Sequence, residues 1–275
     1  MRTGRAEQRS VALNHRSRTA PRTYEVSSVR KALDILTAFS LFEPEWSLSA
    51  LARRLRLPKS TAHNLLRTLQ SVDLVHQDCE RRAYRLGPRA LEMGLAFAQS
   101  SEVLAQARPV LRRVAELTRE TLKLGIFSND QVLIVAAVES SHQLHTRGDI
   151  GTRWPLHSTS LGKAILSALP PDECEKLIRR RGMAQLTGHT LLSWRQLSSE
   201  LDAIRSRGYA TDLEENEPGV RCVAAPVVDS LRGSVAAISV SGPRIRLEDD
   251  RLAELAKHVV VAARSISTYS NLEES

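Results

Sequence analysis

Residues 47–75 read SLSALARRLRLPKSTAHNLLRTLQSVDLV, and two helices with a break between them account for every position. Ser47 stands as an N-cap before Leu48, Leu51, Ala52 and Leu55, which recur at the spacing of a short amphipathic helix. Arg56-Leu57-Pro58 interrupts it, and Pro58 suits the entrance of the next helix. There Ala62, Leu65, Leu66, Leu69 and Val72 form an apolar stripe. The opposite face displays Lys59, Ser60, Thr61, His63, Asn64, Arg67, Thr68 and Ser71, with no carboxylate before Asp73. A merely solvated helix would favour Glu and Lys, the strong helix formers. Short hydroxyls, amides and cations instead suit phosphates and base edges, which a carboxylate would repel.

Working outward, Val29, Ala32, Leu33, Leu36 and Phe39 predict a preceding helix. Two extended segments follow, Leu74 to Gln77 and Ala83 to Leu86, joined by the polar turn Asp78-Cys79-Glu80-Arg81-Arg82. Three helices and a hairpin make residues 26–88 a winged helix-turn-helix. Its third helix is expected in the major groove, with Lys59, Ser60, Thr61, His63, Asn64 and Arg67 toward DNA. Arg81 and Arg82 of the wing are expected on phosphates.

The charge distribution agrees. Residues 1–90 hold 17 Lys and Arg against 8 Asp and Glu, whereas residues 91–275 hold 22 against 23. The whole basic excess of a chain with net charge +8 therefore sits in its first third, as in a module that meets a polyanion joined to a neutral one. Residues 1–25 read as a disordered basic tail, with six Arg and many Ser and Thr. Without residues 1–24, the stretch to residue 90 still carries 11 basic against 7 acidic side chains.

At 42% hydrophobic and 25% charged, the 275 residues can build a substantial core, which excludes a wholly disordered chain. The longest apolar run, Val132 to Val138, is far short of a membrane span. No apolar segment follows the basic start, so a secretory signal is not expected. Three scattered cysteines (Cys79, Cys174, Cys222) offer neither a disulfide framework nor a zinc pair. A cytoplasmic protein is expected.

Beyond Gly87-Pro88, residues 89–101 read as a linker helix whose stripe of Leu91, Leu95 and Ala98 suits a partner copy. A long helix is expected from Glu102 to Leu122, then strands at Lys123–Phe127 and Val132–Glu139. Helices after His157, after Pro171 and over Arg195–Arg207 come next. Strands at Tyr209–Asp212, Val223–Asp229 and Val235–Ser241 and a last helix from Glu248 to about Tyr269 complete an α+β unit over residues 102–271. Leu161-Gly162-Lys163-Ala164 lacks the remaining glycine and the hydroxyl of a phosphate-binding loop. His142-x-x-His145 lacks further metal ligands and reads as surface-loop histidines, and His157 reads as a structural residue opening a helix. No metal or cofactor is expected. The segment from His157 to Leu161 precedes a helix whose free N–H groups favour an anion. Asp212, Cys222, Ser239 and Ser241 lie on strands or their ends, where plain alternation explains the serines as well as ligand contact does.

Ordered blocks along residues 26–271 resemble the IclR-type bacterial transcriptional regulators. They are Leu48-Ser49-Ala50-Leu51-Ala52 with Leu57-Pro58-Lys59-Ser60-Thr61, Tyr84-Arg85-Leu86-Gly87, Leu156-His157-Ser158 with Leu161-Gly162-Lys163-Ala164, and Gly208-Tyr209-Ala210 with Asp212, Glu214 and Glu215. Gly219, Cys222-Val223-Ala224-Ala225-Pro226-Val227 and Ile238-Ser239-Val240-Ser241-Gly242-Pro243 complete them. The resemblance implies a winged-helix domain, a linker helix and a GAF/PAS-like effector-binding domain, assembled as a homodimer or dimer of dimers on operator DNA. It also implies that Ser160 and Leu161 (through backbone N–H), Asp212, Cys222, Ser239 and Ser241 contact a small carboxylate effector. Leu161 departs from the pattern, being bulkier than the small residue such relatives often carry. A repressor is expected; an activator of a catabolic operon with the same fold, and an enzyme built on the second domain, are the alternatives.

Overall fold

A computed structural model describes residues 25–78, 80–229 and 234–269. The expected tail up to residue 24, Cys79 of the wing and the 230–233 turn lie outside the described residues. The chain divides into two compact units, Met1–Ala90 and Leu91–Ser275.

The first unit contains α1 (Ser27–Ala38), β1 (Glu45–Ser47), α2 (Leu48–Arg54), α3 (Lys59–Gln70), β2 (Val75–Asp78) and β3 (Ala83–Leu86). Ser47 caps α2 as its position predicts, accepting from the Ala50 N–H at 3.2 Å. The expected hairpin pairs Val75 with Leu86 and Asp78 with Ala83. The sequence reading lacks β1, which lies on the other edge of β3 and pairs Trp46 with Tyr84. Three residues are too few to show a period, and Ser47 serves as both strand end and helix cap. The Trp46 indole fastens this strand by donating to the Ala38 carbonyl at 3.1 Å. Ile35, Leu51, Leu66, Leu69, Val75 and Tyr84 meet in one buried core. Each such aliphatic side chain contributes about 1.5–3 kcal/mol on burial, which fixes α3 with its apolar stripe inward.

At the division of the units lies α4 (Pro88–Ser100), followed by α5 (Glu102–Thr118), β4 (Thr121–Ser128), β5 (Gln131–Val138), β6 (Arg153–Trp154), α6 (Ser160–Ser167), α7 (Pro171–Arg181), α8 (Trp194–Arg207), β7 (Ala210–Leu213), β8 (Val220–Asp229), β9 (Ser234–Pro243) and α9 (Asp249–Tyr269). The helix expected to reach Leu122 stops four residues earlier. Arg119 adopts a left-handed φ of 58° and its N–H returns to the Ala115 carbonyl at 2.7 Å, so the chain turns into β4 instead. Leu122 fits either period, and in the strand it is fully buried. The two-residue strand β6 was likewise not expected.

One antiparallel sheet of order β6-β5-β4-β9-β8-β7 spans the second unit. Leu122, Leu124, Val223, Ala225, Ile238 and Val240 point to one face and pack with α5 and α9. Ile134, Ala210, Ala224 and Ala237 point to the other, beneath residues of α6, α7 and α8. Directly paired residues of an antiparallel ladder share a face. The register Asp212↔Cys222, Cys222↔Ser241, Ser241↔Thr121 therefore draws a polar row across four strands. The neighbouring row runs Ala224↔Ser239 and Ser239↔Lys123. Among the described residues, no helix is long and apolar enough to cross a membrane.

Candidate DNA interface and effector cavity

In α3, Ala62, Leu66 and Leu69 are buried while Lys59, Ser60, His63, Asn64 and Arg67 are exposed. Thr61, expected to face outward with them, is only partly exposed, because it borders the buried stripe. Downstream on the same face, Thr68 and Ser71 turn their hydroxyls back to the carbonyls of Asn64 and Thr68. The wing is ordered by Asp78, whose Oδ1 accepts the N–H groups of Glu80 (2.9 Å) and Arg81 (3.0 Å). Those bonds, that of Arg81 foremost, hold the Asp78 carboxyl below its usual range. Its charge is thus bound up in the turn, leaving Arg81 and Arg82 exposed at the tip.

The second unit carries a cavity of ≈ 700 Å³ on the face of the sheet that holds the polar rows. Ser160, Leu161, Asp212, Cys222, Ser239 and Ser241, scattered over 82 positions of sequence, all line it. One wall is the start of α6, capped by Thr159, which accepts the Gly162 N–H at 3.0 Å. Gly162 is required here: a Cβ would lie 2.5 Å from the Cα and carbonyl oxygen of Leu156. Ser160 and Leu161, which open α6, line the cavity, and their N–H groups find no acceptor among the described residues.

The opposite wall is more unusual electrically. Asp212 is buried, and its Oδ1 accepts the N–H of Glu215 at 2.7 Å and of Asn216 at 3.4 Å. Burial, reinforced by the charge of Glu215, pushes its carboxyl up to about 7. Cys222 touches the hydroxyls of Ser241 and Ser160, and burial beside Asp212 pushes its thiol up to about 12. The hydroxyl oxygen of Ser239 is buried with no hydrogen-bond partner among the described residues. A buried polar atom of that kind costs free energy until something fills the cavity and bonds to it.

Several residues of the site were not anticipated. Trp154 and Lys123 line the cavity together, the Lys123 ammonium 5.5 Å from the indole centroid. Ile134, Leu144, Arg147, Arg244 and Ile245 contribute further wall. His145 also lines it, against the expectation of a mere surface histidine; it is half-buried, with Nδ1 2.7 Å from the His142 carbonyl oxygen. Beneath the cavity, Lys163 is fully buried with Nζ 2.5 Å from Glu215 and 3.8 Å from Glu200. This pair holds the loop after β7 against α6. Lys163 and Glu215 are 52 positions apart, so neither residue alone discloses the other. His157 is structural as expected, its Nε2 3.0 Å from the Ala184 carbonyl and its basicity lowered by burial.

Comparison with known proteins gives the same two units in the same order. The IclR helix-turn-helix domain matches residues 28–78, and the C-terminal domain of the bacterial transcriptional regulator IclR matches residues 95–268. The HTH-type transcriptional regulator BhcR of Paracoccus denitrificans is 37% identical over 242 residues, 88% of this chain and 86% of that protein. The transcriptional repressor IclR of Escherichia coli is 36% identical over 251 residues, 90% of this chain and 92% of that one. The crystal structure of an IclR-type regulator from Alicyclobacillus acidocaldarius shares the fold with a TM-score of 0.82 at 24% identity, covering 90% of this chain and all of that one. With a helix-turn-helix unit, a cavity-bearing α+β unit and relatives alike over nearly their whole length, the chain belongs to the IclR family of DNA-binding bacterial transcriptional regulators.

Proposed function

We propose that the chain is a repressor released from, or tightened on, its operator by a small organic acid bound in the second unit. The observation that carries this reading is the convergence of Ser160, Leu161, Asp212, Cys222, Ser239 and Ser241 on one cavity of the second unit. The open N–H groups of α6 and the unpartnered Ser239 hydroxyl suit a carboxylate. Asp212, titrating near neutrality, serves as a hydrogen-bond donor to it when protonated.

On DNA, α3 enters the major groove with Ser60, His63, Asn64 and Arg67 toward base edges and Lys59 and Thr61 toward the backbone. Arg81 and Arg82 of the wing contact phosphates. A homodimer or dimer of dimers presents two such helices to the cytoplasmic operator, using the exposed Leu91, Met93, Leu95 and Phe97 of α4 as a contact between copies. The site works by binding and not by turnover. Its one thiol, Cys222, is held protonated far above neutral pH, and His145, the histidine that lines the cavity, has Nδ1 at the His142 carbonyl and Nε2 beside Glu139.

Fluorescence anisotropy of a labelled promoter fragment from beside the gene tests the reading. The full-length protein should bind that fragment over unrelated DNA, and an acid ligand should change the affinity without being consumed. Ligand-driven release marks a repressor; ligand-driven tightening with a rise in transcription marks the activator instead. Failure to prefer any flanking fragment would remove the assignment of a neighbouring operator.

A further inference from the structure

Two buried carboxyls stand side by side at the cavity, Asp212 on β7 and Glu215 in the loop after it. Lys163 of α6 holds Glu215, its ammonium 2.5 Å from Oε1, while Oε2 is buried with no partner among the described residues. No ion pair joins Asp212 to a cation among the described residues. Its Oδ1 accepts the two backbone N–H groups, and Oδ2 accepts nothing among those residues, on a side chain that lines the cavity. Of two adjacent buried carboxyls, the one beside the ammonium keeps the negative charge and the other keeps a proton.

The other charged groups nearby leave that order in place. Glu200 of α8 is drawn to Arg207 at 2.7 Å, and Lys123 of β4 stands against the Trp154 ring. Arg244 pairs with Glu214 at 3.1 Å, and Arg221 of β8 pairs with Asp249 at 2.9 Å. Arg147, Asp149 and Glu217 line the cavity and together add one net negative charge, which favours the proton further. The start of α6 comes close to the same carboxyl. Cys222 pairs with Asp212 on one side and Ser241 on the other, and its thiol touches the hydroxyls of Ser160 and Ser241. A carboxylate seated at Ser160 therefore stands one inter-strand step, about 4.8 Å, from Asp212. Two like charges at that distance in a buried site repel, whereas a protonated carboxyl donates its O–H to a carboxylate.

We infer that the second unit binds its acid together with one proton, held on Asp212 Oδ2 and donated to the ligand carboxylate, so that effector affinity falls as the medium turns alkaline. This rests on the acid-binding reading of the cavity and adds a second input to it. The proton comes from solvent, one O–H bond forms on Asp212, and nothing else is transferred. With the free carboxyl at about 7, binding is nearly independent of pH in acid and takes up a proton above neutrality. Operator occupancy then responds to the acid and the proton jointly.

The test is calorimetric titration of the full-length protein with pyruvate, lactate and propanoate between about pH 6 and pH 8, where each stays ionised. Affinity for an acid that binds should fall about tenfold across that range. Repeating the alkaline titration in phosphate and in Tris, whose heats of ionisation differ, should count an uptake of about 0.9 proton per acid bound. Asp212→Asn keeps an acceptor for the Glu215 N–H and should flatten the fall to within about twofold. His145→Gln alters the imidazole that lines the cavity and should keep the fall. Circular dichroism at both ends of the range confirms that each protein is folded, and the wild-type proton count stands without either variant. Acid binding with no proton uptake in alkali overturns the proposal and leaves the acid-binding reading standing. A fall that survives Asp212→Asn and vanishes in His145→Gln overturns it as well, because the proton then belongs to the imidazole. Binding of none of the three acids anywhere in the range overturns the reading of the cavity itself, and the proposal with it.

Discussion

Asp212 is the residue at which fold and chemistry are most tightly joined. Its carboxyl sits near 7 because burial and the charge of Glu215 disfavour ionisation more than its two backbone N–H bonds favour it. The sign for stability follows from proton counts. Between the unfolded value near 4 and the folded value near 7, the native state holds a proton that the unfolded state has lost, so stability falls as pH rises through that window. Glu215, raised for the same reason, adds to the fall. Asp212→Asn retains an acceptor for the Glu215 N–H and cannot ionise. It should raise the stability of the ligand-free protein at pH 8 by a few kcal/mol, on the order of 3, with no gain at pH 4, read by urea denaturation at both pH values. A wild type whose stability stays level from pH 4 to 8 would contradict the assignment. On DNA, Asn64 and Arg67 are exposed on α3. Asn64→Ala or Arg67→Ala should cost about 1–3 kcal/mol of operator affinity and relax sequence preference, measured by anisotropy against single-base operator variants. Unchanged affinity in both would remove α3 from the recognition role.

At the scale of elements, long periodic stretches were legible and short ones were not. The leucine stripe of α3, the Ser47 cap and the alternation of β8 and β9 each repeat a signal several times, so the pattern outweighs any one residue. In β1 and β6, of three and two residues, there is nothing to repeat, and pairing with β3 and β5 alone makes them strands. The overrun of α5 has a different cause: Leu122 satisfies the helical period, and only the left-handed turn at Arg119 diverts it. The polar residues of the cavity were visible through family blocks, whereas Trp154 and Ile134 were not. Those two look like ordinary core residues until sheet order puts them beside Lys123. The wing yields its own prediction. With Asp78 engaged by the turn, the wing presents Arg81 and Arg82 beside the exposed Glu80. Replacing both by Ala should reduce the slope of log affinity against log salt by roughly 1–2 while leaving base preference intact. An unaltered slope with altered sequence preference would mean that the wing reads bases.

For the whole molecule, the proposed function requires a cavity in the second unit to govern a helix in the first. One winged helix covers one half-site with a modest basic excess, so useful affinity needs two copies at a fixed spacing. In the homodimer proposed above, the exposed apolar side chains of α4 would set that spacing. Leu95→Glu should shift the protein toward monomers in analytical ultracentrifugation and lower operator affinity together. A bound acid can alter spacing only by favouring one arrangement of protomers over another, and such coupling amounts to about 1–3 kcal/mol. Linkage makes the effect reciprocal: operator DNA must change effector affinity by the factor by which effector changes operator affinity. Calorimetric titration of the acid with and without a saturating operator duplex should therefore give dissociation constants differing by roughly 5- to 150-fold. Wild type and Thr159→Ala differ in a further way. Loss of the α6 cap loosens the N–H groups proposed to hold the carboxylate, so the variant should bind the acid more weakly in both titrations while keeping its operator affinity without ligand. Identical effector affinities in the presence and absence of operator would show that the cavity and α3 are uncoupled, and regulation would then have to act through something other than DNA affinity.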